Sequence, residues 1–376
     1  MNPHQLFCPN MNCPARGQVG KDNIHSHSQK DQRWICEVCG QTFTTTTGTI
    51  FYRLRHAPEL VIQVITLLAY GCPIQAIVKA FGLDERTVCD WQARAGRHCQ
   101  QVHEHLVESQ PQDLKQVQAD EIKVKTQRGT FWMALALWVP TRLWMGGVVS
   151  AKRDLDLIQR LADQIRQMAL CRPLLLAVDG LASYVSAFQN AFRSKFPRQA
   201  GEAGRCKLVS WSDIAIVQVV KQRVAGVLQV ERRIVQGSQD LVARLITTTQ
   251  GTGVINTAFI ERLNATFRQR ISALTRRTRH LAQRAQTLVA GMYLVGCFYN
   301  FCDFHHSLRL TRSVSVGSFG HRWVQRTPAI AAKLTDHQWT PAEVLMFHVP
   351  PPRWKPPVQR GRPSLAILQL AQKWAT

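Results

Sequence analysis

The sequence predicts a mixed α/β protein preceded by two small modules, and three observations carry that expectation. Two cysteine pairs stand before residue 40 in an otherwise polar segment. A pair of amphipathic helices, broken at glycines, follows them. From residue 116 three strand-like runs succeed one another and give way to alternating helix and strand. At 376 residues, 45% of them hydrophobic, the chain can bury a sizeable core, and its length implies about two or three domains.

Residues 1–52 hold "CPNMNC" (Cys8, Cys13) and "WICEVCGQTF" (Cys36, Cys39). C-x4-C and C-x2-C spacings let two thiolates from each knuckle converge on one tetrahedral Zn²⁺. So short and polar a segment has almost no core of its own, and a structural zinc would supply its folding energy. His25 and His27 could substitute as ligands, but histidines in a polar loop are more often exposed to solvent. The remaining seven of the 11 cysteines are scattered singly, which favours a reduced compartment and one metal site over a disulfide framework. The segment reads as a zinc ribbon.

Residues 53–110 contain "APELVIQVITLLAYGCPIQAIVKAFGLDERTVCDWQARAGRH", helices broken at Gly71 and Gly82. Ile77, Phe81, Leu83, Val88 and Trp91 follow the spacing of a helix-turn-helix with Gly82 at the tight turn. Asp84 can cap the second helix. Its outward residues Arg86, Thr87, Asp90 and Arg94 would then face a DNA major groove.

Residues 111–312 change texture. "QVQADEIKVK", "TFWMALALWVP" and "RLWMGGVVSAK" read as strands. "DLDLIQRLADQIRQMAL" reads as an amphipathic helix, "RPLLLAVDG" as a buried strand ending on an acid, "LASYVSAFQNAF" as a helix and "CKLVSW" as a further strand. A three-strand meander followed by alternating helix and strand is the order of a ribonuclease-H-like domain, a mixed sheet flanked by helices.

Residues 313–376 form a Pro-rich basic extension, with "HVPPPRWKPPVQRGRPS" expected as an extended linker or arm. Within it "RGRP" offers Arg360 and Arg362 to a narrow A·T-rich minor groove, in the manner of an AT-hook core.

Charge is the strongest global signal. Lys+Arg 47 against Asp+Glu 24 gives +23, spread along the whole chain, which implies a long polyanion as partner. Nucleic acid fits better than anionic lipid, because no basic amphipathic anchor helix stands out. No apolar run reads as reaching the roughly 18 residues needed to span a membrane, and "MNPHQLFCPN" is no signal peptide. The expectation is a cytoplasmic, nucleoid-associated protein without a membrane partner.

In so basic a chain, acids in apolar settings are informative. Asp120 shares strand parity with Ile122 and Val124, so it points inward if they do. Asp179 closes the apolar run Leu174–Val178 at the carboxyl end of a strand, where open α/β sheets build sites; alone, it could instead cap the next helix. Glu261, in "NTAFIERLNATFRQR", has Asn264, Ala265, Ala258 and Thr257 at helical contact offsets and no cation among them. It needs a distant partner or a task. Three converging carboxylates are what a two-metal phosphoryl-transfer site with Mg²⁺ or Mn²⁺ requires, while Arg262, Arg268 and Arg270 would face the polyanion. Glu121 falls on the opposite strand face and reads as a neighbour, with an exchange of roles with Asp120 left open.

With these residues in view, the chain resembles bacterial insertion-sequence transposases of the DDE class, specifically the insertion-sequence-one-like group. The resemblance rests on Cys8, Cys13, Cys36 and Cys39, "TFTTTTGTIFYRLR", "ADEIKVK" at Asp120, "LLAVDG" at Asp179, "NTAFIERLNATFR" at Glu261, and "FYNFCDFHHSLR" at Phe298–Arg309. It covers roughly residues 8–312. The acids stand 59 (179 − 120) and 82 (261 − 179) residues apart, and the second interval, somewhat long for the group, implies an inserted element around residues 212–250. One departure is C-x4-C where C-x2-C is commoner. The resemblance implies binding to terminal inverted repeats, cutting at element ends, joining of 3′-hydroxyls to target DNA, and assembly of a homo-oligomer on double-stranded DNA. A non-catalytic DNA-binding regulator, or a nuclease of the same fold that cleaves without joining, are the alternatives. A pure binder has no use for buried carboxylates in a basic domain.

Overall fold

The computed structural model describes residues 3–127, 129–196, 205–224, 226–251, 253–275, 282, 284–311, 323–357 and 361–374. Contacts divide the chain into two units, Met1–Pro58 with Leu345–Thr376, and Glu59–Val344.

In the first unit β1 (Ile24–Ser28), β2 (Arg33–Cys36) and β3 (Thr42–Thr44) form an antiparallel sheet in that order. Strands this short bury little, and the core is Ala15, Ile24 and Phe43 packed beside the buried cysteines Cys8, Cys13 and Cys36. Trp374, at the end of the helix Leu365–Trp374, completes it, with Leu370 one turn earlier packed alongside. The stretch expected as an extended linker carries no helix or strand in its described residues 348–357, and the helix after it returns to pack on this sheet's core. Arg16 Nε donates to the Pro352 carbonyl at 2.8 Å, and Gln18 Nε2 donates to the Trp374 carbonyl at 2.7 Å. The physical reason is the i, i+4 apolar pair Leu370–Trp374, which gives this helix one side to bury. Arg362 is exposed, and Arg360 lies outside the described residues.

The second unit opens with α1 (Pro58–Ala69), α2 (Ile74–Phe81) and α3 (Glu85–His103). Gly82 ends α2 in the left-handed conformation (φ 63°, ψ 29°), which other residues adopt at a cost. Asp84 caps α3 by accepting from the Arg86 amide at 2.8 Å. Ile77, Val88 and Trp91 are buried between the helices, so the capped helix pair and its three-residue turn follow the sequence pattern.

The central sheet takes β4 (Gln116–Thr126), β5 (Gly129–Trp138) and β6 (Leu143–Ser150) as an antiparallel meander. α4 (Leu155–Met168), β7 (Leu174–Asp179) and α5 (Ala182–Ala191) follow; β8 (Arg193–Lys195) and β9 (Leu208–Ser210) pair with each other only. Then come β10 (Ile214–Val224), β11 (Val227–Gln236), α6 (Gln239–Gln250), α7 (Ala258–Arg270) and α8 (Ala285–Cys297). The strand order is β11-β10-β7-β4-β5-β6, with β7 parallel to both β4 and β10. "CKLVSW" supplies a strand as expected, the small β9, which pairs with β8. One expectation is corrected here: residues 212–250 begin with β10, whose buried run Ile214–Val219 is integral to the main sheet. Only beyond Val219 does the hairpin leave it.

Alternation divides the sheet's two faces. Leu175, Ala177, Ala215 and Val217 pack against Leu241, Val242, Leu245 and Ile246 of α6, and α7 lies on the same face of β4. α4 and α5 pack together on the other. Among the described residues one helical stretch, Ala285–Leu308, is long and apolar enough to cross a membrane, which corrects the reading that none was. Most of it is buried, because α8 is the core helix against which α3 packs: a Cβ on Gly96 would sit 2.5 Å from Ala290 Cα.

Candidate active site

The β4–β7 ladder runs only to Gln118 opposite Ala177, after which the strands fork. Asp120 and Asp179 are the next residues of that face on the two arms of the fork. Ligand oxygens of Asp120, Glu121 and Asp179 lie within 4.8 Å of one another, a set that could hold a metal ion. The fork opens into a cleft of ≈ 570 Å³ whose lining includes Asp120, Asp179, Glu261, Arg153 and Lys221.

β4 also sets the helix that carries the third acid. Gln118 Oε1 accepts from the amides of Phe259 and Ile260 at 3.1 and 3.0 Å, two of the donors that a helix start leaves unpaired. Its Nε2 donates to the Asn256 carbonyl at 2.7 Å. Three residues after Glu261, and so on the same side of α7, the fully buried Asn264 donates through Nδ2 to Asp120 Oδ2 at 2.8 Å. One face of β4 thus holds an acid, the anchor for α7 and the contact with Asn264.

Glu261 has the distant partner that its own helix lacks. Lys221 Nζ of β10 lies 2.5 Å from its Oε1, and Thr257 Oγ1 donates to the same oxygen at 2.7 Å. Burial works to raise the Glu261 carboxyl, but these two contacts outweigh it and hold the group below its ordinary range. Glu261 lines the cleft without joining the close group of three. The structure brings Glu121 there instead.

Glu121 sits on the opposite face, as its parity requires, and its side chain is 2% exposed. Its Oε2 accepts from the Tyr184 hydroxyl at 2.8 Å and its Oε1 from Arg153 Nε at 2.5 Å. Arg153 also stacks over Trp132, 5.0 Å from the ring centroid, and reaches Asp179 Oδ2 at 3.4 Å. Oε1 of Glu121 therefore fixes a cation beside Asp179, while Tyr184 holds its Oε2. Sequence reasoning missed Arg153; the available signal was a buried acid on the wrong face, which had to have a partner.

Asp179 does not cap α5, whose N-cap is Leu181; its Oδ1 accepts from the Leu181 amide at 3.0 Å and leaves Oδ2 toward Arg153. Burial, then repulsion from Glu121 and Asp179, pushes the Asp120 carboxyl up to about 7, against a smaller pull from Arg268. A divalent cation would relieve that repulsion, so the donor set fits one.

Of the residues expected to face a polyanion, Arg86 and Asp90 are exposed on α3, with Thr87 and Arg94 half-buried. Arg262 is exposed and Arg268 half-buried. Arg270 is corrected: its Nη1 lies 2.6 Å from Asp303 Oδ2, its guanidinium stacks over Tyr70 at 4.5 Å, and Tyr70 donates to the same carboxylate. Asp303 draws it inward, where it ties the end of α7 to the end of α1.

In the first unit, Cys8 and Cys39 sulfurs lie 3.7 Å apart and those of Cys13 and Cys36 3.9 Å, with all four within 4.8 Å. Two sulfurs bound to one tetrahedral Zn²⁺ at about 2.3 Å stand about 3.8 Å apart, so the set could hold zinc. Asn23 Nδ2 points at Cys36 Sγ from 3.4 Å. Burial pushes the Cys13 thiol up to about 12 and raises Cys8 further, so an ion must displace their protons. His25 instead meets Glu37 at the surface, 3.1 Å away.

No protein-family model matches the chain, and no curated protein matches it.

Proposed function

We propose that this chain is a DDE-type transposase, which cuts DNA at the ends of a mobile element and joins the freed 3′-hydroxyls to target DNA. The observation that carries the reading is the cleft at the β4–β7 fork, where Asp120, Asp179 and Glu261 line one wall set in a chain of charge +23. An antiparallel meander followed by parallel β7 and β10, with helices on both faces, supports a ribonuclease-H-like domain. The capped α2–α3 pair supports a helix-turn-helix that reads the terminal repeats, and the four cysteines support a structural zinc ribbon.

Two Mg²⁺ or Mn²⁺ ions at these carboxylates would activate the attacking oxygen and stabilise the leaving one in an in-line displacement. The chain's own residues do the rest. Asp120, Asp179 and Glu261 would hold the ions; Asn264 orients Asp120, and Gln118 fixes the helix on which Glu261 rides. Arg153, held by Glu121, presents a cation to the phosphate beside Asp179. Two element ends must be processed together, so the working form is a homo-oligomer on double-stranded DNA.

The test uses duplexes carrying the inverted repeats that flank the reading frame, incubated with protein and Mg²⁺ or Mn²⁺. Wild type should nick and join; Asp120→Asn, Asp179→Asn and Glu261→Gln should each lose both steps and keep DNA binding. Cleavage that persists in one variant removes that residue from the site. Cleavage without joining would favour a nuclease, and binding without cleavage a regulator.

A further inference from the structure

Beyond Val219 the β10–β11 hairpin has no neighbour in the main sheet, and nothing in the reaction above uses it. β10 pairs with β7 through Ile214–Val219 only, whereas its pairing with β11 continues to Val224 opposite Val227. The free part is exposed along both strands. Five residues at roughly 3.3 Å each carry it roughly 17 Å beyond the last pair with β7.

Register shows that its two faces differ. Val219–Arg232, Lys221–Val230 and Arg223–Leu228 are cross-strand pairs on one face, and Val220–Glu231, Gln222–Gln229 and Val224–Val227 on the other. The first face is the one that Asp179 shares, because Asp179 is the partner of Val219. Lys221, Arg223 and Arg232 all lie on it: Lys221 pairs with Glu261, Arg232 donates through Nε to the Ile255 carbonyl at 2.9 Å and keeps its Nη groups for an anion, and Arg223 stands at the outer end. The ribbon's acid, Glu231, lies on the other, hydrogen-bonded by Arg233 at 2.5 and 2.6 Å. The cationic face thus runs on from the acids of the cleft with no carboxylate of its own.

We infer that this ribbon is a DNA-binding arm: a two-stranded β-ribbon laid against the duplex next to the phosphate held at the acids, with Arg223 and Arg232 on its phosphates. The inference rests on the DNA-processing reading of the cleft. Charge complementarity selects the occupant, and a two-stranded ribbon fits the major groove, about 12 Å wide. Leu228 and Val230, between the cations, meet sugar carbons and thymine methyls there. The other occupant of a free edge is a second copy of β11, but the run Glu231-Arg232-Arg233 at mid-strand opposes edge-to-edge pairing.

The experiment measures full-length protein binding to a fluorescent 30-base-pair duplex of mixed sequence by anisotropy, in EDTA, across a salt series. Arg223→Glu, at an exposed position that folding does not need, should weaken binding about tenfold at 0.1 M salt. Arg223→Ala with Arg232→Ala should lower the slope of log K against log salt by about 2, and the two Lys replacements should restore it. Unchanged affinity and slope, with wild type binding normally, would overturn the arm and leave the active-site reading standing. A wild type that binds no duplex sinks that reading first. If Val227→Asp with Val230→Asp turns a dimer into a monomer in sedimentation and leaves duplex affinity intact, the occupant is a second copy and the inference falls.

Discussion

Lys221 of β10 neutralises Glu261 of α7 across the mouth of the cleft, Nζ to Oε1 at 2.5 Å. Both side chains are nearly half exposed, so the pair is weak as a stabiliser, but it competes directly with any cation for the same oxygen. Lys221→Ala should therefore tighten Mn²⁺ binding several-fold in titration calorimetry, and Glu261→Gln should weaken it. Equal Mn²⁺ affinity in wild type and Lys221→Ala would show that the ammonium does not compete.

The raised carboxyl of Asp120 ties stability to pH. Its value in the fold is about 7 against an ordinary 3.8, so the folded protein holds this proton more tightly than the unfolded chain. The fold loses stability through this group as pH rises from 3.8 to about 7, and stays lower above it. Asp120→Asn removes the loss. In EDTA at pH 8 the variant should melt several degrees above wild type, with the gap closing toward pH 4. Calorimetry that finds wild type the more stable at pH 8 would contradict the charge repulsion at the fork.

Gln118 should matter out of proportion to its neutrality. Gln118→Ala strands two amides of α7 and the Asn256 carbonyl, at a cost of about 2 kcal/mol in denaturant unfolding. Gln118→Glu keeps the acceptor oxygens and should recover part of it. A loss below about 0.5 kcal/mol on Gln118→Ala would mean that α7 is held by its apolar face alone.

Two arginines should part company. Arg86→Ala removes an exposed side chain from α3 and should weaken terminal-repeat binding by about 1–3 kcal/mol, with random DNA affected less. Equal losses on both duplexes would make Arg86 a phosphate contact. Arg270→Ala leaves Asp303 largely enclosed without its cation, and should cost stability while leaving DNA affinity unchanged.

Metal analysis checks the ribbon. Cys36→Ser with Cys39→Ser should lose one zinc per chain. Unchanged zinc content would put the ion elsewhere.

How much of this was legible in the sequence depends on whether a local pattern or a long-range contact decides each residue. The meander, α4, β7 and α5 follow from alternation and periodicity, and the parity of Asp120 and Glu121 correctly sent them to opposite faces. β10 was missed because one strand serves two environments, buried to Val219 and exposed after it, so its pattern reads as an insertion. Lys221 and Arg153 were invisible because each finds its acid 40 and 32 residues away in sequence. Arg270 was misread for the same reason, since Asp303 lies 33 residues on.

Trp374 closes a core whose other members, Ala15, Ile24 and Phe43, come first in the chain. A ribosome adding roughly 5–20 residues per second needs tens of seconds between them. Throughout that interval the module lacks Trp374 and relies on Ala15, Ile24, Phe43 and the partly buried Trp34 beside the cysteines. A metal ion bound by these thiols would meet them more open before the last helix docks than after it.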